Sequence, residues 1–272
     1  MSAFQKTTFL LFLLAFVSGS CGSNRPLKAP SLRDEADRYT AAFSSEMKMG
    51  RYKAALDDAE RALAVNTILD RDDGLAVSYN NLGAIQERMG MLEEAEASYM
   101  KAVSLAKKSG NGPLLGVALN NLAGLTLHTD VSLAKDRASQ ARRLGEEGPW
   151  PGIQARAVHV LARVALEKGA IERSRVLCEE GLSLLGESDD RSARAAILIT
   201  RGRAEAASGN YAEAIQFAEE ALAIDRILED PYAIAQDHAR LAEIYQMSGH
   251  TTKEAESREK AQEIMEILGI GE

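Results

Sequence analysis

The chain lacks most of what an enzyme or a sheet-rich domain would need. Its 272 residues include two cysteines, Cys21 and Cys178, too few for a disulfide framework. Four histidines, His128, His159, His238 and His250, are scattered, with no pair at metal-ligand spacing on one helix. There is no glycine-rich phosphate loop, no Gly-x-Ser-x-Gly elbow and no Cys/His nucleophile set, so no catalysis, no metal site and no cofactor is expected. Alternating apolar and polar runs are absent, which predicts no sheet. A net charge of −8 removes any general attraction to nucleic acid or anionic headgroups. Six prolines and 5% aromatics suit a helical array, and a 46% hydrophobic fraction is enough for a folded one.

What the chain has instead is a period. Six blocks begin at Ala36, Ala76, Gly116, Ala155, Ala195 and Ala235, spaced by 40, 40, 39, 40 and 40 residues. The eighth residue is small in five of six: Gly83, Ala123, Ala162, Gly202 and Ala242, with Phe43 the exception. The fifteenth is Gly50, Gly90, Asp130, Gly169, Gly209 and Gly249. Further small residues follow at Ala55, Ala95, Ala134, Ser174, Ala214 and Ala255, with the turn one residue shorter in the third block and one longer in the sixth. A glycine in the left-handed conformation ends a first helix, and small side chains let a second helix approach it closely. Each hairpin leaves an apolar face that the next must cover, which defines a solenoid. Asp230-Pro231, Asp189, Asp190, Asp72 and Asp73 are helix-start signals.

Some positions stand out. Phe43 at a small-residue position implies loose packing of the first block. Arg201 and Glu205 fall where apolar residues are expected, and being four apart they either pair or simply face water. Cys178 is expected to be a buried thiol between helices. The last helix, expected over Thr252 to Leu268, has no following block and a charged outer face, leaving Ile264, Met265 and Leu268 to pack inward.

Gly-Asn-Tyr-Ala-Glu-Ala-Ile at Gly209 to Ile215 and Tyr-Asn-Asn-Leu-Gly at Tyr79 to Gly83 resemble the tetratricopeptide repeat, over about Ala36 to Leu268. The family unit is about 34 residues. The longer unit here is similar to that of kinesin light chains, whose Leu-Asn-Asn-Leu-Ala signature recurs at Leu119 to Ala123. The resemblance implies an all-α, right-handed superhelix of about six hairpins, residues 34–272. It also implies a concave groove lined by the second, fifth, sixth and ninth residues of each first helix.

In this chain that places Asn80, Asn81, Asn120 and Asn121 in the groove, where family members pair such amides with a peptide backbone. Further along come Arg156, His159, Arg163, Arg203 and Arg240, with Glu243 opposing. The partner implied is an extended protein segment with acidic side chains or a free C-terminus. The packing alternative holds for both sets: asparagine at the sixth position also serves helix packing, and arginine on a helix face is often merely solvated. The five-residue carboxylate clamp of co-chaperone members is not present.

The first residues follow another logic. Phe9 to Val17 is an apolar run of nine, preceded by Lys6 and followed by Ser18-Gly19-Ser20-Cys21. Nine residues span about half the hydrocarbon thickness, so the run reads as a secretory signal peptide, residues 1–20, and not as an anchor. The small residues before Cys21 resemble a bacterial lipobox, which implies lipidation of Cys21 with palmitate-type chains and a tether over 21–33. Ser18 stands where family members usually carry leucine, and ordinary secretion is the alternative. Gly22 after the cysteine implies, by the same resemblance, an outer-membrane lipoprotein facing the periplasm. The expected function is a protein–protein interaction scaffold or adaptor in envelope assembly, such as pilus, secretin or peptidoglycan machinery. A secreted self-associating structural protein and a non-catalytic accessory subunit of an envelope enzyme are the alternatives. A cytoplasmic peptide-sensing regulator is not expected, since a leader and not a DNA-binding domain precedes the array.

Overall fold

The computed structural model describes residues 31–186 and 190–270. The leader, Cys21, tether residues 21–30 and Asp189 therefore lie outside the described residues, whereas the last three residues assigned to the tether open the array instead, Ser31 capping α1 and Leu32 and Arg33 starting it. Those described form α1 (Leu32–Lys48), α2 (Tyr52–Ile68), α3 (Asp72–Arg88), α4 (Leu92–Lys108), α5 (Gly112–Thr126), α6 (Val131–Glu147), α7 (Pro151–Glu167), α8 (Ile171–Leu185), α9 (Arg191–Ala207), α10 (Tyr211–Leu228), α11 (Pro231–Met247) and α12 (Thr251–Leu268), with no strand among them. Each odd helix packs on the even helix that follows, and each hairpin stacks on the next, giving an all-α solenoid of six hairpins.

The turn chemistry explains the hairpins. Gly50, Gly90, Gly169, Gly209 and Gly249 all have positive φ. In the first of these turns Gly50 N–H donates to the Met47 carbonyl and Arg51 N–H to that of Glu46, so the last carbonyls of α1 are satisfied as the chain reverses. The third hairpin turns without glycine. Asp130 caps α6, its Oδ1 accepting from Ser132 and Leu133 N–H at 2.9 Å each. Asp190 and Asp230 cap α9 and α11 in the same way. Asp72 and Asp73 lie one step later than the sequence signal placed them, inside the first turn of α3, where their charge suits the helix dipole.

Small side chains sit at the helix contacts. Ala55, Ala59, Ala62, Ala95, Ala102, Ala138, Ala141, Ala214, Ala218 and Ala221 are completely buried. A Cβ on Gly202 would stand 2.9 Å from the Ala214 carbonyl oxygen, so α9 and α10 approach backbone to backbone. Cys178 is buried as expected, and burial pushes its thiol up to about 12. Three expectations need correction. Phe43 is buried, packed with Tyr52, Leu82 and Ile85, so the first hairpin has a larger core residue and not a loose one. Ala255 is exposed: α12 starts at Thr251, as soon after its glycine as other second helices do, and buries Ser257 and Ala261 instead. Glu205 is not in water; it is 5% exposed and bonded to Arg201.

The array also curls back on itself. Tyr232, Leu268 and Ile270 pack against the Phe43–Tyr52 cluster, and a Cβ on Gly50 would run into Leu268 Cδ2. The last hairpin is thus partly covered after all, by the first.

Candidate functional site

Curling brings the inner faces of α3, α5, α7, α9 and α11 around one cavity of about 690 Å³. Its size lies within the range of ligand sites. One ion pair closes its end. Arg88 of α3 gives a two-pronged bond to Asp230, Nη1 to Oδ1 and Nη2 to Oδ2 both 3.3 Å, with its guanidinium 4.2 Å over the Tyr232 ring. This joins residues 142 apart in sequence and ties the second hairpin to the last. Both side chains are 27% exposed, so the pair itself contributes about 1 kcal/mol or less, with a similar amount from the ring.

The centre of the cavity is basic. Arg163 extends from α7 toward α5, its Nη1 3.9 Å from where Gly124 would carry a Cβ. It makes no hydrogen bond or ion pair among the described residues. Burial, followed by the charges of Arg203 and Arg240, holds its pKa below the usual guanidinium value. Arg203 reaches Glu167 only at 3.4 Å, and Arg240 is bonded to Glu243 at 2.6 Å. His128 lines the same space, its pKa lowered by burial and by Arg163. An anion placed here relieves the mutual repulsion of three guanidinium groups.

His159 also lines the cavity, but as a fixed neutral ring. Its Nε2 lies 2.9 Å from Thr200 Oγ1, and the Thr200 hydroxyl donates to the Ala196 carbonyl at 3.1 Å. The hydroxyl is left to accept, which assigns the proton to Nε2. Burial, then Arg163 and Arg156, pushes the ring down to about 3.

Other proposed groove residues are spent on structure. Arg156 is clamped by Asp190, Nη2 to Oδ1 2.7 Å and Nε to Oδ2 3.1 Å, which ties α7 to the start of α9. It lies outside the cavity lining. Asn120 is buried and donates from Nδ2 to the Ile153 carbonyl at 3.0 Å, so it joins α5 to α7. Asn121 lines the cavity, donating to Asn80 Oδ1 at 2.9 Å. Asn80 and Asn81 lie outside the lining. The asparagine row is therefore one groove residue, Asn121, backed by helix-to-helix bonds.

The sequence reading missed the acidic wall. Asp225 of α10 and Asp237 of α11 are 6% and 4% exposed and both line the cavity. They occupy a joint between successive hairpins that recurs along the array. Asn66 and Ser78 fill it in the first joint, with Asn66 Nδ2 3.1 Å from Ser78 Oγ, and Leu185 and Ile197 fill it in the fourth. Comparing the thirty-first residue of one block with the third of the next would have found the two carboxyls facing. Burial raises both, Asp225 to about 6 and Asp237 to about 8, the latter also through the charge of Asp225. Ionising one carboxyl therefore disfavours ionising the other.

These features define a helical-hairpin solenoid with a polar inner groove, a class of protein-interaction module. Tetratricopeptide repeat models match residues 44–108, 76–147 and 194–228, about half of the chain. The chain belongs to the tetratricopeptide repeat family. No curated protein matches the sequence. Among solved structures, the apo form of RapI is similar at 13% identity and a TM-score of 0.71, over 90% of this chain and 88% of that one. A Rap protein complexed with Competence and Sporulation Factor is similar at 11% identity and 0.68, over 88% and 77%. BtubC (BKLC) from P. vanneervenii is similar at 19% identity and 0.54, over 87% and 93%. These likenesses concern the fold.

Proposed function

We propose that the protein is an envelope scaffold whose groove holds an extended segment of a partner protein through an acidic side chain or a free C-terminal carboxylate. The observation that carries this reading is Arg163, a guanidinium without a partner among the described residues, at the centre of the cavity with Arg203 and Arg240 beside it. A carboxylate accepts two parallel bonds from such a fork, which a lysine could not offer. Asn121 supplies a polar contact for the backbone of the same segment. That a Rap protein of similar fold is complexed with Competence and Sporulation Factor supports a partner-binding role for this fold.

The test is photo-crosslinking in intact cells from a reactive amino acid placed at Gln236, which lines the cavity. The wild-type groove yields a crosslinked polypeptide identified by mass spectrometry. Arg163→Glu reduces its affinity for a synthetic peptide of that segment by about 100-fold, because like charges then face in a desolvated site. Recovery and affinity unchanged by Arg163→Glu would defeat the reading.

The anchoring part of the proposal rests on the residues around Cys21. Lipid attached there holds the scaffold at the periplasmic face of the outer membrane, several acyl chains at about 0.8 kcal/mol per buried CH₂ being ample. Radiolabelled palmitate enters the wild-type chain and not Cys21→Ser, and the variant leaves the membrane fraction. Label retained by Cys21→Ser rules the anchor out.

A further inference from the structure

The groove uses one side of α7, and the other side carries a second cavity. Leu161, Val164 and Ala165 of α7 and Leu177 of α8 form the apolar floor of a space of about 620 Å³ walled by α6 and α8. Around its edge stand Lys135 and Arg143 from α6, Lys168 at the end of α7 and Arg173 in the first turn of α8. Arg142 is paired with Glu146 and Glu180. None of the other four cations makes an ion pair among the described residues. Arg173 also sits where the helix dipole disfavours positive charge.

This charge is not a by-product of the repeat. Where Lys168 stands, the first, second, fifth and sixth blocks carry Met49, Met89, Ser208 and Ser248. Where Arg143 stands, the first, second, fourth and fifth carry Ala64, Ser104, Ser183 and Ala223. On a chain of net charge −8, four uncompensated cations ring a hydrocarbon floor at the one place where these substitutions coincide.

We propose that this cavity binds a single-chain anionic amphiphile, its hydrocarbon on the floor and its carboxylate or phosphate head among Lys168, Arg173 and Arg143. Charge complementarity selects the anion, and the apolar floor selects a ligand with a hydrocarbon body. A monomeric ligand fits better than a bilayer surface. The floor is recessed, with Val164, Ala165 and Leu177 only 4%, 7% and 3% exposed, whereas membrane insertion calls for protruding apolar side chains. The volume is that of a small-molecule site.

The experiment is calorimetric titration of the full chain carrying Cys21→Ser with dodecanoate, dodecyl phosphate and dodecyltrimethylammonium, each below its critical micelle concentration. Saturable binding of one or both anions and none of the cation is the expected result. The exposed double variant Lys168→Glu, Arg173→Glu keeps its helical circular dichroism and weakens anion binding by about ten-fold or more. Arg163→Glu, in the groove, leaves it unchanged. Equal binding of the cation, anion binding unaffected by the double variant, no saturable binding, or binding seen only with phosphatidylglycerol vesicles would each overturn the proposal.

Discussion

Glu205→Ala lowers the stability of the array by roughly 2–3 kcal/mol, the largest loss expected from a single polar side chain. Glu205 sits on α9 with 5% of its surface exposed and accepts from Arg175 Nη2 at 2.5 Å, Arg201 Nε at 2.8 Å and Asn210 Nδ2 at 2.9 Å. Burial works to raise its pKa, but the bonds from Asn210, Arg175 and Arg201 outweigh it and hold the carboxyl below its usual range. Removing it leaves two largely covered guanidinium groups facing each other. The loss stays short of the full penalty for a broken buried pair, because Arg201 keeps Glu179 and Arg175 keeps Glu172. Glu205→Gln preserves the size and one acceptor and costs less than alanine. A depressed carboxyl pKa stabilises above the unfolded value and stops doing so as pH falls through the folded one. The gap between wild type and Glu205→Ala therefore narrows in acid. Urea unfolding followed by circular dichroism measures both effects. A midpoint for Glu205→Ala within error of wild type would mean that the cluster is as good as solvated.

Glu205 also marks the boundary of what the residues disclose by their order. The 40-residue period, the glycine turns and the small contact positions are local facts, and periodicity encodes them directly. Gly50, Gly90, Gly169, Gly209 and Gly249 all adopt the expected left-handed backbone, and the residues five and twelve further on are small and buried in each of these hairpins except at Glu254. What periodicity leaves out is the curl, because small rotations between hairpins accumulate over the array. The closing contact of Arg88 with Asp230 and Tyr232 depends on that accumulation. The candidate site was half legible for the same reason. Arg163, Arg203 and Arg240 converge because their register alone points them inward. Arg156 and Asn120 obey the same register, but each has a partner within reach in the next hairpin, Asp190 and the Ile153 carbonyl, that the sequence spacing does not display.

Raising the pH from 6 to 8 loosens the joint between the fifth and sixth hairpins, and Asp237→Asn abolishes that response. The unfolded chain ionises both carboxyls near the ordinary 3.8, whereas the folded joint holds its protons until about 6 for Asp225 and about 8 for Asp237. Across this range the native state binds more protons than the unfolded one, so stability falls as pH rises. The limiting slope is about 1.4 kcal/mol per pH unit for each proton, and hydration of the joint brings the real slope below it. Above pH 8 both carboxylates are ionised near Asp230, whose charge acts in the same direction, and Arg88 opposes the charge on Asp225. Arg88 is also the arm of the closing contact, so ionisation pulls on the groove's own latch. In Asp237→Asn the amide donates to the Asp225 carboxylate without needing a proton from solvent. That variant becomes more stable than wild type above pH 7, by up to about 2 kcal/mol at pH 9, and loses the steep region of the profile. Urea midpoints at pH 5, 7 and 9 for wild type, Asp237→Asn and Asp225→Asn decide the matter. Parallel profiles for all three would show that the two carboxyls titrate as if in water and that packing around Ala235 and Leu222 holds the joint by itself.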